Sequence, residues 1–232
     1  MSTIDIESFT NQYWEYFLTL EKDFLNTERY LTFDEDNFRS FSVEFAKLMQ
    51  TICSEIDVLL KEYCKFLKND YRSDTIAKYA YIITSHRKEI LNQEVFLKKK
   101  KHIKFKPWEK WEYTLNLDAK GIQKVNGTPP QWWTMYNKIK HERTTFSKTH
   151  KKHFFKFANL ENVLNALSGL FIIEMYFYKD IVVKIDKNFP LYPFERSFMF
   201  DIDEWDINHV TVSEMVGFFP WWLNSTHWTT QS

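Results

Sequence analysis

Glycine is scarce in this chain, with four residues in 232. That scarcity excludes an architecture of strands joined by many tight turns, and it excludes a glycine-rich phosphate-binding loop. Only two cysteines occur, Cys53 and Cys64. They are eleven apart within one helical pattern, three turns along one side and too far apart to bridge. They read as reduced core thiols, and a cytoplasmic location is expected. Long apolar runs are also missing. The longest, LFIIEMYFY, is broken by Glu174 and does not span a membrane. MSTIDIESFT has no basic-then-apolar signal region, so neither secretion nor membrane insertion is expected. No serine-elbow, Walker or kinase pattern is present. Net charge is absent too: 31 Lys/Arg balance 31 Asp/Glu, so no global field draws the protein to polyanions.

Apolar side chains, in contrast, are abundant. Hydrophobic residues make up 44% and aromatics 19%, enough for a sizeable core and too much for a disordered chain. The balanced charge is unevenly distributed. From Glu94 to Lys156 there are 16 Lys/Arg against 5 Asp/Glu, which leaves 15 against 26 elsewhere. Such polarity reads either as a polyanion-binding face or as internal pairing of acidic and basic parts.

Periodicity predicts a mainly α fold. Phe9, Tyr13, Phe17, Leu20 and Phe24 recur at steps of three and four in a helix from about Glu7 to Tyr30. A longer stripe carries Phe41, Phe45, Leu48, Ile52, Ile56, Leu59, Tyr63 and Leu67. Asp74 is placed to cap a third helix with Ile76, Tyr79, Ile83 and Ile90. Together these predict an antiparallel helical bundle over residues 1–181. EVFLKKKKHIKFKPWEKWEYTL predicts a short β-hairpin inserted at about 94–128, with AKGIQKVNGTPP as a loop. Asn159 is placed to cap the clearest helix, which contains Leu160, Val163, Leu164, Leu167, Leu170, Phe171, Met175 and Tyr178. Residues 182–232 are expected to form an irregular C-terminal cover, with Trp221 and Trp222 anchoring its tail.

The segment with chemical promise is a predicted helix from Trp132 to Phe146. At 100° per residue, Trp132, Met135, Ile139 and Phe146 share one side, the core face. Asn137, Lys140, His141 and Thr144 fall opposite, flanked by Trp133 and Tyr136, with Lys138 and Arg143 at the margins. Asn137 and His141 are four apart and are neighbours. The basic run Lys98, Lys99, Lys100, Lys101 and His102 reads either as a charged edge strand that resists aggregation or as an RNA contact. Phe105, Trp108 and Trp111 read either as base-stacking groups or as hairpin packing. Lys138, Lys151 and Lys152 are further candidate RNA contacts. His141, His150 and His153 sit among lysines that would repel a cation, so no metal and no cofactor is expected.

The polar helix with Asn137 and His141, a short connection and a strongly apolar last helix resembles the HEPN superfamily (higher eukaryotes and prokaryotes nucleotide-binding). The resemblance implies a metal-independent endoribonuclease of the toxin–antitoxin or abortive-infection kind. The signature is an arginine, commonly followed by a polar residue, and a histidine after a total gap of four to six residues. The matching run is Tyr136-Asn137-Lys138-Ile139-Lys140-His141, with Tyr136 in the arginine's place. A second frame spans Arg143 to His150. By this resemblance His141 would be the acid/base that activates a ribose 2′-hydroxyl, and Asn137 would orient the phosphate. Lys140 or Arg143 would supply the cation that Tyr136 lacks. A homodimer with facing motif helices is expected, with RNA and an antitoxin or other protein as partners and no membrane. The competing expectation is a catalytically silent HEPN-like module that binds RNA, a nucleotide or a protein through the same basic face. A third reading docks the basic middle on the acidic ends of a neighbouring copy.

Overall fold

Residues Leu160–Ile185 form one helix, α6, in which every side chain from Ala166 to Tyr178 is buried. A helix apolar around its whole circumference has to be enclosed on all sides, and this enclosure organises the molecule. Asn159 caps it, its Oδ1 accepting from the Asn162 N–H at 3.0 Å. The structure is a computed structural model that describes residues 4–69, 75–117, 123–185, 190–193, 195–203 and 205.

The N-terminal stripe forms α1 (Ile6–Phe9), a π-helical turn (Thr10–Trp14) and α2 (Glu15–Asn26). Phe9, Tyr13, Phe17, Leu20 and Phe24 are all buried, as the spacing predicts. The wider π turn brings Trp14 inward as well. Helix α3 (Val43–Leu67) buries Phe45, Leu48, Ile52, Ile56, Leu59 and Tyr63, and packs along α6. Phe41 precedes it and stays 44% exposed. Cys53 and Cys64 are buried free thiols. Helix α4 (Ile76–His86) is capped by Thr75. Asp74, the expected cap, lies outside the described residues. The fold is mainly α.

The predicted insertion carries two hairpins, one more than expected. Strands β1 (Val95–Leu97) and β2 (Lys100–Phe105) form the first. The second joins β3 (Glu112–Leu117) to β4 (Gln123–Thr128), in continuous register from Glu112↔Thr128 to Leu117↔Gln123. The expected loop is thus largely a strand: NGTPP reads as turn chemistry, but Gly127 has a packing role. A Cβ there would meet the Glu112 carbonyl oxygen at 2.3 Å and the Ala77 Cβ of α4 at 3.0 Å. Between the hairpins Phe105, Trp108 and Trp111 are buried, which overturns the base-stacking alternative for them. Trp108 Nε1–H donates to the Gly169 carbonyl at 3.0 Å, and Trp111 Nε1–H donates to that of Ile76 at 3.0 Å.

After α6 the chain returns to its beginning. β7 (Phe200–Asp201) pairs antiparallel with β1, giving the sheet order β2-β1-β7. Buried Glu21 of α2 holds this return: it accepts from Ser197 Oγ at 2.5 Å, Phe198 N–H at 2.7 Å and Met199 N–H at 2.9 Å. Trp14 Nε1–H donates to the Glu195 carbonyl at 2.7 Å. Trp205 packs edge-on against Tyr176, with ring centroids 4.9 Å apart. Trp221 and Trp222 lie outside the described residues.

Two carboxyls lie inside α6. Asp180 accepts from Tyr63 Oη of α3 at 2.6 Å and from Arg87 Nε at 2.9 Å, and also pairs with Arg87 Nη2. This network ties three helical segments together at one end. Glu174 is fully buried, and neither oxygen has a hydrogen-bond partner among the described residues. Burial pushes its pKa well above the usual carboxylate range, and Glu55 adds to the rise.

Removing one member of the Asp180 network strands the others. Asp180→Ala is expected to lower the unfolding free energy by about 3 kcal/mol in urea titrations. A loss under about 1 kcal/mol would make the network a peripheral ion pair. Glu174 gives a pH signature. A raised folded-state pKa contributes stability that is complete below the usual glutamate value and fades as pH climbs through the raised one. Wild type and Glu174→Gln should therefore have different melting profiles, with the variant's relative stability growing from acid to alkaline pH. Parallel profiles would mean that Glu174 keeps its ordinary pKa.

Candidate nucleic-acid interface

Pro130 leads directly into α5 (Gln131–Glu142), the helix that bears the motif residues. It packs against α3, α6 and the 3-10 turn Phe154–Phe157. This three-sided contact covers more of its circumference than a single core face would. Trp132, Trp133, Met135, Tyr136 and Ile139 are all buried. Trp133 and Tyr136 are therefore wall residues rather than flanks of an outward face. Burial raises the Tyr136 phenol above its usual range, and the Lys140 ammonium works against that rise. Lys140 Nζ stands 5.7 Å from the Tyr136 ring centroid.

The helix ends earlier than predicted. Its last carbonyls are taken by the chain that follows: Thr145 N–H donates to Glu142 O at 2.8 Å and Phe155 N–H donates to Arg143 O at 3.0 Å. Thr144 consequently leaves the helix, and Phe146, expected in the core, is 51% exposed. The remaining polar groups do share an outer surface. Lys140, His141 and Arg143 are exposed and Asn137 is half-buried. Neither the His141 ring nor the Asn137 amide forms a hydrogen bond among the described residues. Lys138 is engaged: it pairs with Glu142 at 2.7 Å and lies 5.4 Å from the Phe154 ring centroid.

Beyond α5, β5 (Phe146–Ser147) and β6 (Lys152–His153) form a miniature hairpin with Phe146 opposite His153. Lys151 at its turn has φ 53°, a left-handed conformation that costs a lysine about 1 kcal/mol. His150, the end of the second motif frame, sits in this turn off the helix, with its ring 5.0 Å from that of Phe157. His153 Nδ1–H donates to the Thr144 carbonyl at 2.9 Å, which fixes the imidazole. From Arg143 to Leu160 there are five cations and no acid. Lys148 and Lys151 are exposed, whereas Lys152 and Lys156 are half-buried. Burial depresses the Lys152 ammonium and Arg39 adds to that, with Glu161 opposing. Like charges thus crowd this surface.

The lysine run behaves differently. Lys98 Nζ donates to the Ser197 carbonyl at 2.5 Å, Lys99 pairs with Glu28 at 3.1 Å and Lys100 with Asp34 at 2.7 Å. Lys101 lies 5.4 Å from the Phe96 ring centroid. These four positions, expected among the RNA contacts, lie on an edge strand and its turn, three of them with partners in the N-terminal segment and the C-terminal return. Among the described residues no group of three or more His, Cys, Asp or Glu could hold a metal ion, and no helix is long and apolar enough to cross a membrane.

Two exposed rings stand apart from the predicted pattern: Phe155, 38% exposed, lies outside every predicted helix, and Phe41, 44% exposed, lies on the predicted core stripe. The usable signal was the alternation of aromatic and basic residues without acids in SKTHKKHFFKFA.

Because Tyr136 is a buried wall residue, placing a charged side chain there is not benign. Tyr136→Arg is expected to cost about 2 kcal/mol of stability, read by urea unfolding, and to leave RNA uncleaved. A stable variant that arrests growth on expression would show that the position reaches the surface. No family model, curated protein or solved structure matches the chain.

Proposed function

We propose that this chain is a HEPN-like RNA-binding protein without catalytic activity, whose working surface runs from the exposed end of α5 through the hairpin that follows. One observation carries the reading: the stretch from Arg143 to Lys156 is rich in cations and contains no acid, whereas the lysines of the preceding edge strand are internally engaged. Unneutralised lysines and an arginine on one surface attract phosphates and release their counterions. Lys140, Arg143, Lys148, Lys151 and Lys152 contact the strand, and His141 and Asn137 add hydrogen bonds.

A specific observation favours a second reading, the metal-independent endoribonuclease. His141 is an unengaged imidazole on the same exposed surface as Asn137 and Lys140. An imidazole titrates near neutrality and suits proton transfer at a ribose 2′-hydroxyl. This chemistry needs a facing wall, which a second copy of α5 in a homodimer would provide, and a cellular antitoxin would then be the expected partner.

Fluorescence anisotropy with labelled RNA tests the first reading. The logarithm of affinity should fall linearly with that of salt concentration. Replacing Arg143, Lys148 and Lys151 together by alanine should flatten the slope by about 2. Unchanged affinity and slope in that variant would sink it. Growth arrest by the intact chain, relieved by His141→Ala, would favour the nuclease. Harmless expression and intact RNA would dispose of it.

A further inference from the structure

Four rings make a continuous ladder on the surface after α5. Phe146 meets His153 edge-on at 5.3 Å, His153 lies parallel to Phe155 at 5.9 Å, and Phe155 meets Phe41 edge-on at 5.6 Å. The three phenylalanines are 51%, 38% and 44% exposed, respectively Phe146, Phe155 and Phe41. Exposed large apolar rings in contact with one another are uncommon on a surface that has no other use for them. The backbone holds them in place. The Phe146↔His153 register and the His153–Thr144 hydrogen bond fix one end, and the Phe41↔Asn159 bridge fixes the other. Cations are interleaved: Lys156 Nζ stands 5.4 Å from the Phe41 centroid, and Lys148 and Lys151 project from the turn.

We infer that this ladder is a stacking platform for the unpaired bases of a single strand, a conclusion that rests on the RNA-binding reading and names its substrate class. Every base has a π-face that aromatic rings accept regardless of sequence, and adjacent ammonium groups hold the phosphates between them. A duplex hides those faces in its own stack, so the platform selects loops, ends and single strands. Stacking ignores the ribose 2′-hydroxyl, so the platform itself accepts RNA and DNA strands alike. A second copy of this chain fits poorly. An isologous contact would press this cation-rich patch, with Arg39, Lys148, Lys151, Lys152 and Lys156 against Glu161, onto a second patch of the same sign. The hairpin reaches the surface because the helix stops at Glu142. Had α5 continued through Phe146, as its periodicity suggested, no ladder would form.

The full chain is tested with an oligouridylate of about 12 nucleotides, a length within the usual site range. An abasic strand of the same length and a duplex serve as comparisons. Wild type is expected to bind the base-bearing strand about tenfold more tightly than the abasic strand or the duplex. Phe146→Ala with Phe155→Ala should abolish that preference and leave abasic binding unchanged. Both positions are exposed, so circular dichroism should match wild type, and Phe155→Trp should restore the preference if Phe155→Ala alone loses it. Equal wild-type binding of base-bearing and abasic strands would overturn the platform while the phosphate-binding surface stands. Failure to bind any strand at low salt would remove the RNA reading and the platform with it. Dissociation of a dimer by the phenylalanine variants, seen in sedimentation with base preference unaltered, would assign the rings to a second copy and overturn the platform.

Discussion

Enclosing α6 is the constraint on which the structure depends. Thirteen consecutive residues of that helix, Ala166 to Tyr178, are shut away from solvent, and α1, α2, α3 and α5 all touch it. Burial of each large apolar side chain contributes roughly 1.5–3 kcal/mol, so no partial cover would suffice. The close approach of indoles depends on a small residue in the right place. A Cβ on Gly169 would stand 3.2 Å from Trp132 Cζ2 and 3.5 Å from Trp108 Cε2. The tryptophans in turn need partners for their N–H groups. Trp14, Trp108, Trp111, Trp132 and Trp205 each donate to a backbone carbonyl, so indoles fasten loops and hairpins to the helical core.

The same enclosure decides what the charges do. The basic middle of the chain divides into two parts. One part lies against acids brought near by packing, with Lys99 on Glu28 and Lys100 on Asp34. The other, from Arg143 to Lys156, follows the last turn of α5 onto the outside and contains no acid of its own. Internal pairing and a polyanion-binding surface were opposed explanations of the charge asymmetry. Pairing accounts for Lys99 and Lys100, and the polyanion-binding proposal concerns only the second stretch.

What could be read from the residues alone follows from which forces are local. Helix stripes at three- and four-residue steps are local, and α2, α3 and α6 fall where Phe17, Ile52 and Leu167 recur. The Asn159 cap is local too. The end of α5 is only partly local, because the Glu142 carbonyl bonds nearby Thr145 whereas that of Arg143 bonds Phe155 of the returning turn. Tyr136 is buried on a helix that packs against three neighbouring elements, so the inner face is wider than the core stripe of Trp132, Met135 and Ile139. β4 was hidden because Gly127 and two prolines advertise a turn, whereas its pairing with β3 and its contact with α4 are tertiary facts. Glu21 could not be recognised, since an acid on an otherwise amphipathic helix gives no sign of partners more than 170 residues away.

That distant carboxylate has a consequence for biogenesis. The first helix is synthesised early, yet the groups that satisfy Glu21 and the Trp14 indole belong to residues 195–199. Ser197, 176 positions after Glu21, has to leave the ribosome before this network can close. Until residues 195–199 arrive, the Glu21 carboxylate and the Trp14 indole of the nascent chain keep water as their partner, and the sheet strand that closes over them is the last non-local pairing to form.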